Sequence, residues 1–385
     1  MRPTRRLQRA QHRTAPGSAA SLMTITMAML LVACTPLSQR PSAAVSTPAE
    51  RVASSTENAP ASGSVPDTST PAASSLATLP EPRSLPRRPS RGARLDSALL
   101  TETSGLAVSR RDPAILWAIN DSGHAAVLHA LSRHGERLGE WSVPVPNRDW
   151  EDLATLVMDN EPWLLIADTG DNRRRYGEYA LHLVREPPLP LSETTPAAHT
   201  LDVARTVRFR YEDGPHDVEA VGVDASTLTA WLLVKSAPVD GVASAGGVYT
   251  LSLADDADTP GETEALRVAR RVTTLAEPKR SIEGRFAIAL AGVDLEQPTA
   301  FDIAEDNTSA CLLTYRQVRC YRRVDGEDWS ETLSRPGISL RRHGLEQAEA
   351  LALSTDGLLW TTSEGQGAPL LTLPWATRSG SGASR

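Results

Sequence analysis

The sequence predicts an all-β fold: a β-propeller of five four-stranded blades, closed by an N-terminal strand, with a sixth blade left open by the spacing. Three observations indicate this fold. A strand with polar first residues and an apolar, small-residue middle recurs five times beyond residue 92, and two further apolar strands follow each copy. Gly, Asp, Asn and Pro interrupt the apolar runs, so helical periodicity is scarce. Repeats of this kind are typical of propellers and other arrays.

The recurring strand sets the length of each unit. Its apolar anchors are 47, 68, 82 and 48 residues apart, at Leu106, Leu153, Val221, Ile303 and Leu351. Four-strand units of about 45 residues are typical of propeller blades. The longer gaps indicate insertions, and the gap of 82 residues leaves room for a degenerate sixth blade. A two-sheet sandwich is the alternative, but it does not explain five copies of one strand triplet.

The remaining strands follow in a fixed order. Second strands are predicted at 115–119, 163–167, 230–234, 310–314 and 358–362, and third strands at 127–131, 179–183, 247–251, 318–321 and 370–373. Fourth strands are predicted at 137–143, 206–211, 266–274 and 337–341. The last unit stops after its third strand, at Trp375. We therefore expect the segment Arg94–Leu100 to supply its outer strand and to remove an exposed sheet edge.

Residues 1–33 have the organisation of a lipoprotein signal peptide. An arginine-rich start without acidic residues precedes an apolar run, Ser21–Val32. About 12 apolar residues are too few to span a bilayer, which takes about 20. Small residues then precede Cys34, so we expect cleavage there and lipid on the thiol and the freed amine. An ordinary secretory signal with a chance cysteine is the alternative.

The sequence around Cys34 also predicts location and domain order. Thr35 follows, rather than Asp, which resembles lipoproteins of the outer membrane of Gram-negative cells. Residues 34–91 are rich in Pro, Ser, Ala and Thr and are predicted to form a disordered tether. Residues 92–377 are predicted to form the propeller, and 378–385 a disordered tail. The protein is thus expected in the cell envelope, lipid-anchored and monomeric.

Charge and cysteine usage limit the partners. The net charge of −7 gives no basic footprint for nucleic acid. Cys311 and Cys320 are nine residues apart around Tyr315-Arg316, as facing positions of a hairpin would be. In an oxidising periplasm they would form a cross-strand disulfide, and two buried free thiols are the alternative.

Acidic side chains are concentrated at one predicted face. In a propeller, the first residues of the innermost strand and the last residues of the second strand share one mouth. Besides Asp149, these positions carry ten residues that we take as the candidate ligand or metal mouth: Glu102, Asp121, Glu151, Asp168, Asp171, Asn172, Asp217, Glu219, Glu349 and Glu364. So many carboxylates repel one another unless a cation compensates them.

Several cations are candidates for that compensation. Arg173, Lys235 and Arg316 lie at the same ends of strands. Ca²⁺ is another candidate, because it takes six to eight oxygen ligands. The loop with Asp168, Asp171 and Asn172 is the best single metal candidate, although Asp, Asn and Gly are also common turn residues that bond their own backbone.

Enzyme signatures are scarce. The chain has no G-x-S-x-G, H-E-x-x-H, P-loop or paired C-x-x-C motif. His216 lies beside Asp217 and is the only histidine at the predicted mouth. The sequence therefore favours a binding module for a polar ligand or an envelope protein. The alternatives are a metal-dependent phosphoester or ester hydrolase with His216 or Glu151 as base, and a purely structural envelope scaffold.

Several of these motifs resemble a known group. The runs Leu116–Gly123 (LWAINDSG), Asp149–Ala154 (DWEDLA) and Ala167–Arg173 (ADTGDNR) resemble bacterial exported propellers of the SdiA-regulated and phytase-like, or esterase-like, type. The resemblance covers most of residues 95–375 as short motifs, and it implies five or six blades with an acidic, calcium-binding mouth. In phytases proper, calcium ions bridge the mouth and substrate phosphates. This sequence does not show that enzyme's basic phosphate contacts clearly, and fold alone does not fix function.

Overall fold

The structure is a computed structural model, and it describes residues 93–95, 99–189, 199–235, 246–254, 265–276, 285, 287–288 and 294–375. The signal peptide, Cys34, the tether and the tail lie outside the described residues. The described part is almost entirely β-strand, with a short helix, α1 (Trp329–Leu333). None of the helices in the described ranges has the length and apolarity that a membrane span needs.

The strands form successive antiparallel units, as the sequence predicts. The first unit contains β1 (Thr103–Val108), β2 (Ile115–Asn120), β3 (Val127–Ser132) and β4 (Arg137–Ser142). The second contains β5 (Trp150–Met158), β6 (Glu161–Asp168), β7 (Tyr179–Arg185) and β9 (Val203–Tyr211), with β8 (His199–Thr200) before its last strand. The third contains β10 (Val218–Asp224), β11 (Thr229–Val234), β12 (Gly247–Ser252) and β13 (Arg267–Thr274).

Two more units complete the described chain. The fourth contains β14 (Pro298–Ile303), β15 (Ser309–Thr314), β16 (Gln317–Arg322) and β17 (Ile338–Arg342). The fifth contains β18 (Ala348–Leu353), β19 (Leu358–Ser363) and β20 (Leu371–Pro374). The innermost strands contact one another in chain order, and β18 contacts β1, which closes a ring. The prediction of a propeller is confirmed, with five such units in the described residues.

The predicted closure by an N-terminal strand is also confirmed. Arg94 forms an antiparallel bridge with Pro369, beside β20. The Leu95 N–H donates to the Ala368 carbonyl at 3.0 Å, and the Leu370 N–H donates to the Ala93 carbonyl at 2.8 Å. The first described residues therefore cover the outer edge of the last unit, as the missing fourth strand would.

The 68-residue gap between the second and third copies of the pattern contains two strands, β8 and β9, that link the outer edges of neighbouring units. β8 pairs in parallel with β4 of the first unit, and β9 pairs in parallel with β13 of the third unit. These pairings join neighbouring blades and satisfy backbone groups that would otherwise lie at open edges.

Every innermost strand has a β-bulge at the same level. The register with the second strand skips one residue in each unit, and the skipped residues are Ser104, Glu151, Glu219, Thr299 and Glu349. A bulge re-aims the side chain that it carries. The Ser104 hydroxyl donates to the Trp150 carbonyl and the Thr299 hydroxyl to the Ala348 carbonyl, both at 2.8 Å, so these two join adjacent blades. The other three bulges carry glutamates.

The bulge corrects one detail of the predicted repeat. The anchor follows the bulged residue by two positions, as Leu153 follows Glu151. In the fourth unit the bulge is at Thr299, so the anchor is Phe301 and not Ile303. The sequence pattern misplaced it because both residues are apolar and buried.

A buried carboxylate ties three innermost strands together near the axis. Asp152 is 1% exposed and accepts three backbone hydrogen bonds: from its neighbour Leu153 at 2.8 Å, from Val221 of β10 at 2.8 Å, and from Phe301 of β14 at 3.1 Å. Because each donor holds the same position in its blade, one side chain fixes the relative height of three blades.

In the fourth blade, Cys311 and Cys320 are directly facing residues of β15 and β16. The structure joins them by a disulfide. Both are buried in the core of that blade, away from the residues described next.

Candidate metal centre at the propeller mouth

The bulges bring acidic side chains to one end of the ring. Two groups of carboxylates have ligand oxygens that all lie within 4.8 Å of one another. The first carboxylate group is Asp121, Asp149 and Glu151, and the second is Glu151, Asp217 and Glu219. Glu151 belongs to both, so it lies at the centre of the cluster.

Glu151 is a buried carboxylate without a hydrogen-bond donor. It is 5% exposed, and no described residue donates a hydrogen bond to it. Burial raises the pKa of Glu151 well above its usual range, the charges of Asp121 and Asp149 add to that shift, and Lys235 opposes it. Buried charged groups are normally paired, hydrogen-bonded or bound to a metal. Within the described residues, Glu151 therefore has no hydrogen-bond donor, and the charge of Lys235 is what opposes its raised pKa.

A glycine makes room for this carboxylate. A Cβ on Gly170 would lie 2.1 Å from Glu151 Oε1 and 2.6 Å from Asp149 Cγ. The sequence indicates Gly170 as a turn residue, but its backbone is not in the left-handed region that turn glycines often adopt. Its function is to leave space, because any side chain at this position would displace both carboxylates.

The second group contains its own cation. Lys235 Nζ bonds to Glu219 Oε1, and the lysine side chain is 17% exposed. The other oxygen of Glu219 is buried without a partner. Burial raises the pKa of Asp217, while a hydrogen bond from the Asp171 N–H (2.8 Å) and the charge of Lys235 oppose that shift.

The first group has less compensation. Burial raises the pKa of Asp121 to about 6, and the charges of Asp149, Glu349 and Glu102 act in the same direction. Burial also raises the pKa of Asp149, with repulsion from Asp217 and Asp168. Burial is the larger cause of both pKa shifts, and repulsion between the converging carboxylates adds to it.

In the loop that the sequence favours for metal, the carboxylates of Asp168 and Asp171 have hydrogen-bond donors of their own. Asp171 accepts hydrogen bonds from the Arg175 and Tyr176 backbone N–H groups and from the Tyr179 hydroxyl, so its side chain organises the loop. Asp168 accepts from the Asp149 N–H at 3.1 Å. Asn172 is exposed. In the described residues, neither carboxylate group contains Asp168, Asp171 or Asn172.

The remaining predicted mouth residues form a separate acidic pair. Glu349 accepts a hydrogen bond from the Tyr315 hydroxyl at 2.9 Å, and Gln347 donates to Glu364 at 2.7 Å. Burial and a hydrogen bond with Glu349 raise the pKa of Glu364 to about 9. The raised pKa favours a protonated Glu364 carboxyl beside Glu349. Glu102 is half exposed, and its Oε2 lies 3.4 Å from His124 Nδ1.

His216 does not face either carboxylate group through its ring. Its Nε2 lies 2.9 Å from Asp213 Oδ1 and 2.8 Å from the Tyr249 hydroxyl. The Tyr249 hydroxyl and the Asp213 carboxylate thus engage the ring nitrogen that a general base would need.

Two residues have roles that the sequence pattern did not indicate. Arg148 stacks on the Tyr176 ring at 4.4 Å and donates to the Asp168 and Glu178 carbonyls, so it supports the loop beneath Asp149. Asp152 binds backbone N–H groups of the innermost strands near the axis and is not part of the mouth. In the sequence, Asp152 is distinguished only by its position directly before the apolar anchor Leu153.

Comparisons with known proteins find matches among solved structures alone. No protein-family model matches the chain, and no curated protein matches it. Among solved structures it is similar to hydrazine synthase of Kuenenia stuttgartiensis, at 11% identity and a TM-score of 0.31, over 69% of this chain and 56% of that chain. It is also similar to the PQQ-bound aldose sugar dehydrogenase of Streptomyces coelicolor, at 12% identity and a TM-score of 0.39, over 74% and 96%. The chain thus spans little more than half the length of the hydrazine synthase chain.

Proposed function

We propose that this protein is an envelope-anchored binding module whose acidic mouth holds a divalent cation, Ca²⁺ in the first instance, and binds a polar ligand or a protein partner through it. The observation that carries the proposal is Glu151, a buried carboxylate with no hydrogen-bond donor, shared by two groups of converging carboxylates. The resemblance to SdiA-regulated and phytase-like propellers agrees with this function.

The donor set favours a hard cation. Both groups consist of carboxylates, with no sulfur or imidazole ligand. Oxygen-only sites suit Ca²⁺, Mg²⁺ and Mn²⁺, whereas Zn²⁺ and Cu²⁺ prefer nitrogen and sulfur. Ca²⁺ fits best because it accepts irregular geometry and bidentate carboxylates, whereas Mg²⁺ demands a near-ideal octahedron.

A bound cation would also supply the binding site for a ligand. Three carboxylates give three to six oxygens, and Ca²⁺ takes six to eight. The remaining coordination positions face the mouth and are open to hydroxyl or carbonyl oxygens of a ligand. This is how a site without a dedicated nucleophile recognises a polar molecule.

Calcium titration of the full chain tests the proposal. After treatment with a chelator, isothermal titration calorimetry should detect Ca²⁺ binding, and Glu151→Gln should weaken it about 100-fold or more, because the substitution removes the central ligand charge. Glu136→Gln, at an exposed turn, is the matched control and should bind like the original chain. Absence of Ca²⁺ binding in the original chain, or equal affinity in the Glu151→Gln chain, would refute the proposal.

The envelope anchor is part of the same proposal. The arginine-rich start, the short apolar run and Cys34 support lipidation, and residues 34–91 would hold the propeller away from the membrane. Mass spectrometry of the mature N-terminal peptide should find a diacylglyceryl group on Cys34. A peptide that begins upstream of Cys34, or an unmodified thiol, would contradict the anchor.

A metal-dependent phosphoester or ester hydrolase is the second candidate. The observation in its favour is the raised pKa of Glu151 beside a candidate cation site, because active-site bases often have such shifts. A screen of phosphate and carboxyl esters with Ca²⁺ decides it. Turnover that disappears in Glu151→Gln would favour the hydrolase, and turnover equal in both chains would exclude it.

A further inference from the structure

The two carboxylate groups share Glu151 but differ in the positive charge that the protein itself supplies. In the second group, Lys235 lies against Glu219, and its charge also opposes the raised pKa of Glu151 and Asp217. One ammonium group therefore acts on all three carboxylates of that group.

The fold holds this ammonium group in place. The Lys235 backbone N–H donates to the Asp217 carbonyl at 2.9 Å, where β11 ends opposite β10. The Tyr315 ring lies 5.9 Å from Nζ, on another blade, and adds a cation–π contact. Lys235 is thus fixed by three groups from two blades.

The first group has no equivalent. Arg148 is the cation whose charge opposes the raised pKa of Asp149. Its guanidinium group is already engaged by the Asp168 and Glu178 carbonyls and by the Tyr176 ring. Within the described residues, no ion pair joins an arginine or lysine to Asp121 or Asp149, and the ion pair of Arg148 is with Asp168, at 3.4 Å. The repulsion in this group is therefore left for an external cation to relieve.

We propose that Lys235 takes the place of a second divalent cation, so that the mouth binds a single Ca²⁺, in the first carboxylate group. This inference rests on the proposed function, because it assumes that the mouth binds Ca²⁺. Glu151 then lies between the metal ion, which it would coordinate, and the ammonium group, which bonds to Glu219.

The charge balance restricts the ligand. When ionised, the five carboxylates outweigh one divalent cation and one ammonium group, so the two carboxylate groups with these cations remain negative. Like charges at such distances repel strongly in a partly buried site. The ligand class that this favours is neutral or cationic, such as a polyhydroxylated or amine-bearing molecule, rather than a phosphate or another anion.

Counting calcium ions tests the role of Lys235. Native mass spectrometry and calorimetry of the full chain should give one Ca²⁺, and Lys235→Met should give two, because the uncovered Glu151–Asp217–Glu219 group then needs a cation. Lys235→Arg keeps the charge and should give one. Arg133→Met removes a cation from the opposite end of the ring, where Arg133 pairs with Asp356 at 2.7 Å, and should also give one.

The outcomes separate this inference from the proposed function. Two calcium ions on the original chain would overturn the role of Lys235. This result needs no variant, so it does not depend on whether a variant folds. One calcium ion on a folded Lys235→Met chain, with unchanged affinity, would overturn it as well. A chain that binds no Ca²⁺ at all would instead refute the proposed function.

Discussion

Glu151 and Asp152 are neighbours on β5, and their side chains serve two different regions of the propeller. Both are buried carboxylates whose pKa burial raises well above the usual range. Asp152 lies at the axis and accepts three backbone hydrogen bonds from three blades. Glu151 lies at the mouth and accepts none, while four other carboxylates surround it.

This difference distinguishes acidic residues that stabilise the fold from acidic residues that are available to bind a ligand. At the axis, the backbone of the protein itself satisfies the carboxylate, so Asp152 contributes to the assembly of the blades. At the mouth, the bulge turns Glu151 out of the ladder and gives it no internal donor. Burial and acidity are common to both regions, and only the hydrogen-bond partners distinguish them.

The largest expected effect contrasts the two residues in stability. Asp152→Ala leaves three buried N–H groups unpaired, at about 1–3 kcal/mol each, so the free energy of unfolding should fall by about 3 kcal/mol or more. Without Ca²⁺, Glu151→Gln should leave stability unchanged or raise it, because it removes a desolvated charge without breaking a hydrogen bond. Urea unfolding measures both. Similar losses for the two variants would mean that the axis and the mouth do not differ as described.

A smaller effect is expected from the glycine that shapes the mouth. In Gly170→Ala, the new methyl group should displace Glu151 and Asp149 and weaken Ca²⁺ binding about tenfold or more, which corresponds to about 1.4 kcal/mol. Gly177→Ala is the matched control, because a Cβ there meets no atom within 4 Å. Calorimetry on the two variants decides, and equal affinities would indicate that Gly170 only forms a turn.

The smallest effect concerns pH and the Glu349–Glu364 pair. Burial and the hydrogen bond with Glu349 raise the pKa of Glu364 to about 9 in the folded chain. The folded state thus keeps a proton that the unfolded state has lost, and the resulting stability is complete below about pH 4.5 and falls as pH rises towards 9. The melting temperature should therefore fall between about pH 6 and pH 9, and less so in Glu364→Gln. Parallel pH curves for the two chains would show that Glu364 does not hold this proton.

The sequence predicted the fold better than the site, and particular residues show why. Strand positions follow from local apolar patterns, so the predicted strands agree with the structure, including the closing segment at Arg94. The anchor of the fourth blade was misplaced to Ile303, because a bulge at Thr299 shifts the register and leaves no mark in an apolar run.

The site depends on which side chains find partners across blades, and a local pattern does not contain that information. The motif around Asp171 looks like a metal loop, yet its carboxylate organises its own loop through Arg175 and Tyr176. Asp152 and Glu151 are equally acidic in the sequence, but the donors that distinguish Asp152 lie on strands about 70 to 150 residues away. Only the folded ring shows which of the two lacks a donor.

Anomalous diffraction from crystals of residues 92–385 soaked in Mn²⁺ tests the central claim most directly. Mn²⁺ is an oxygen-preferring substitute for Ca²⁺ with a measurable anomalous signal. We predict one strong peak among the carboxylates of Asp121, Asp149 and Glu151, and its loss in Glu151→Gln crystals. A mouth without a peak, with the Glu151 carboxylate hydrogen-bonded to protein groups instead, would contradict the account.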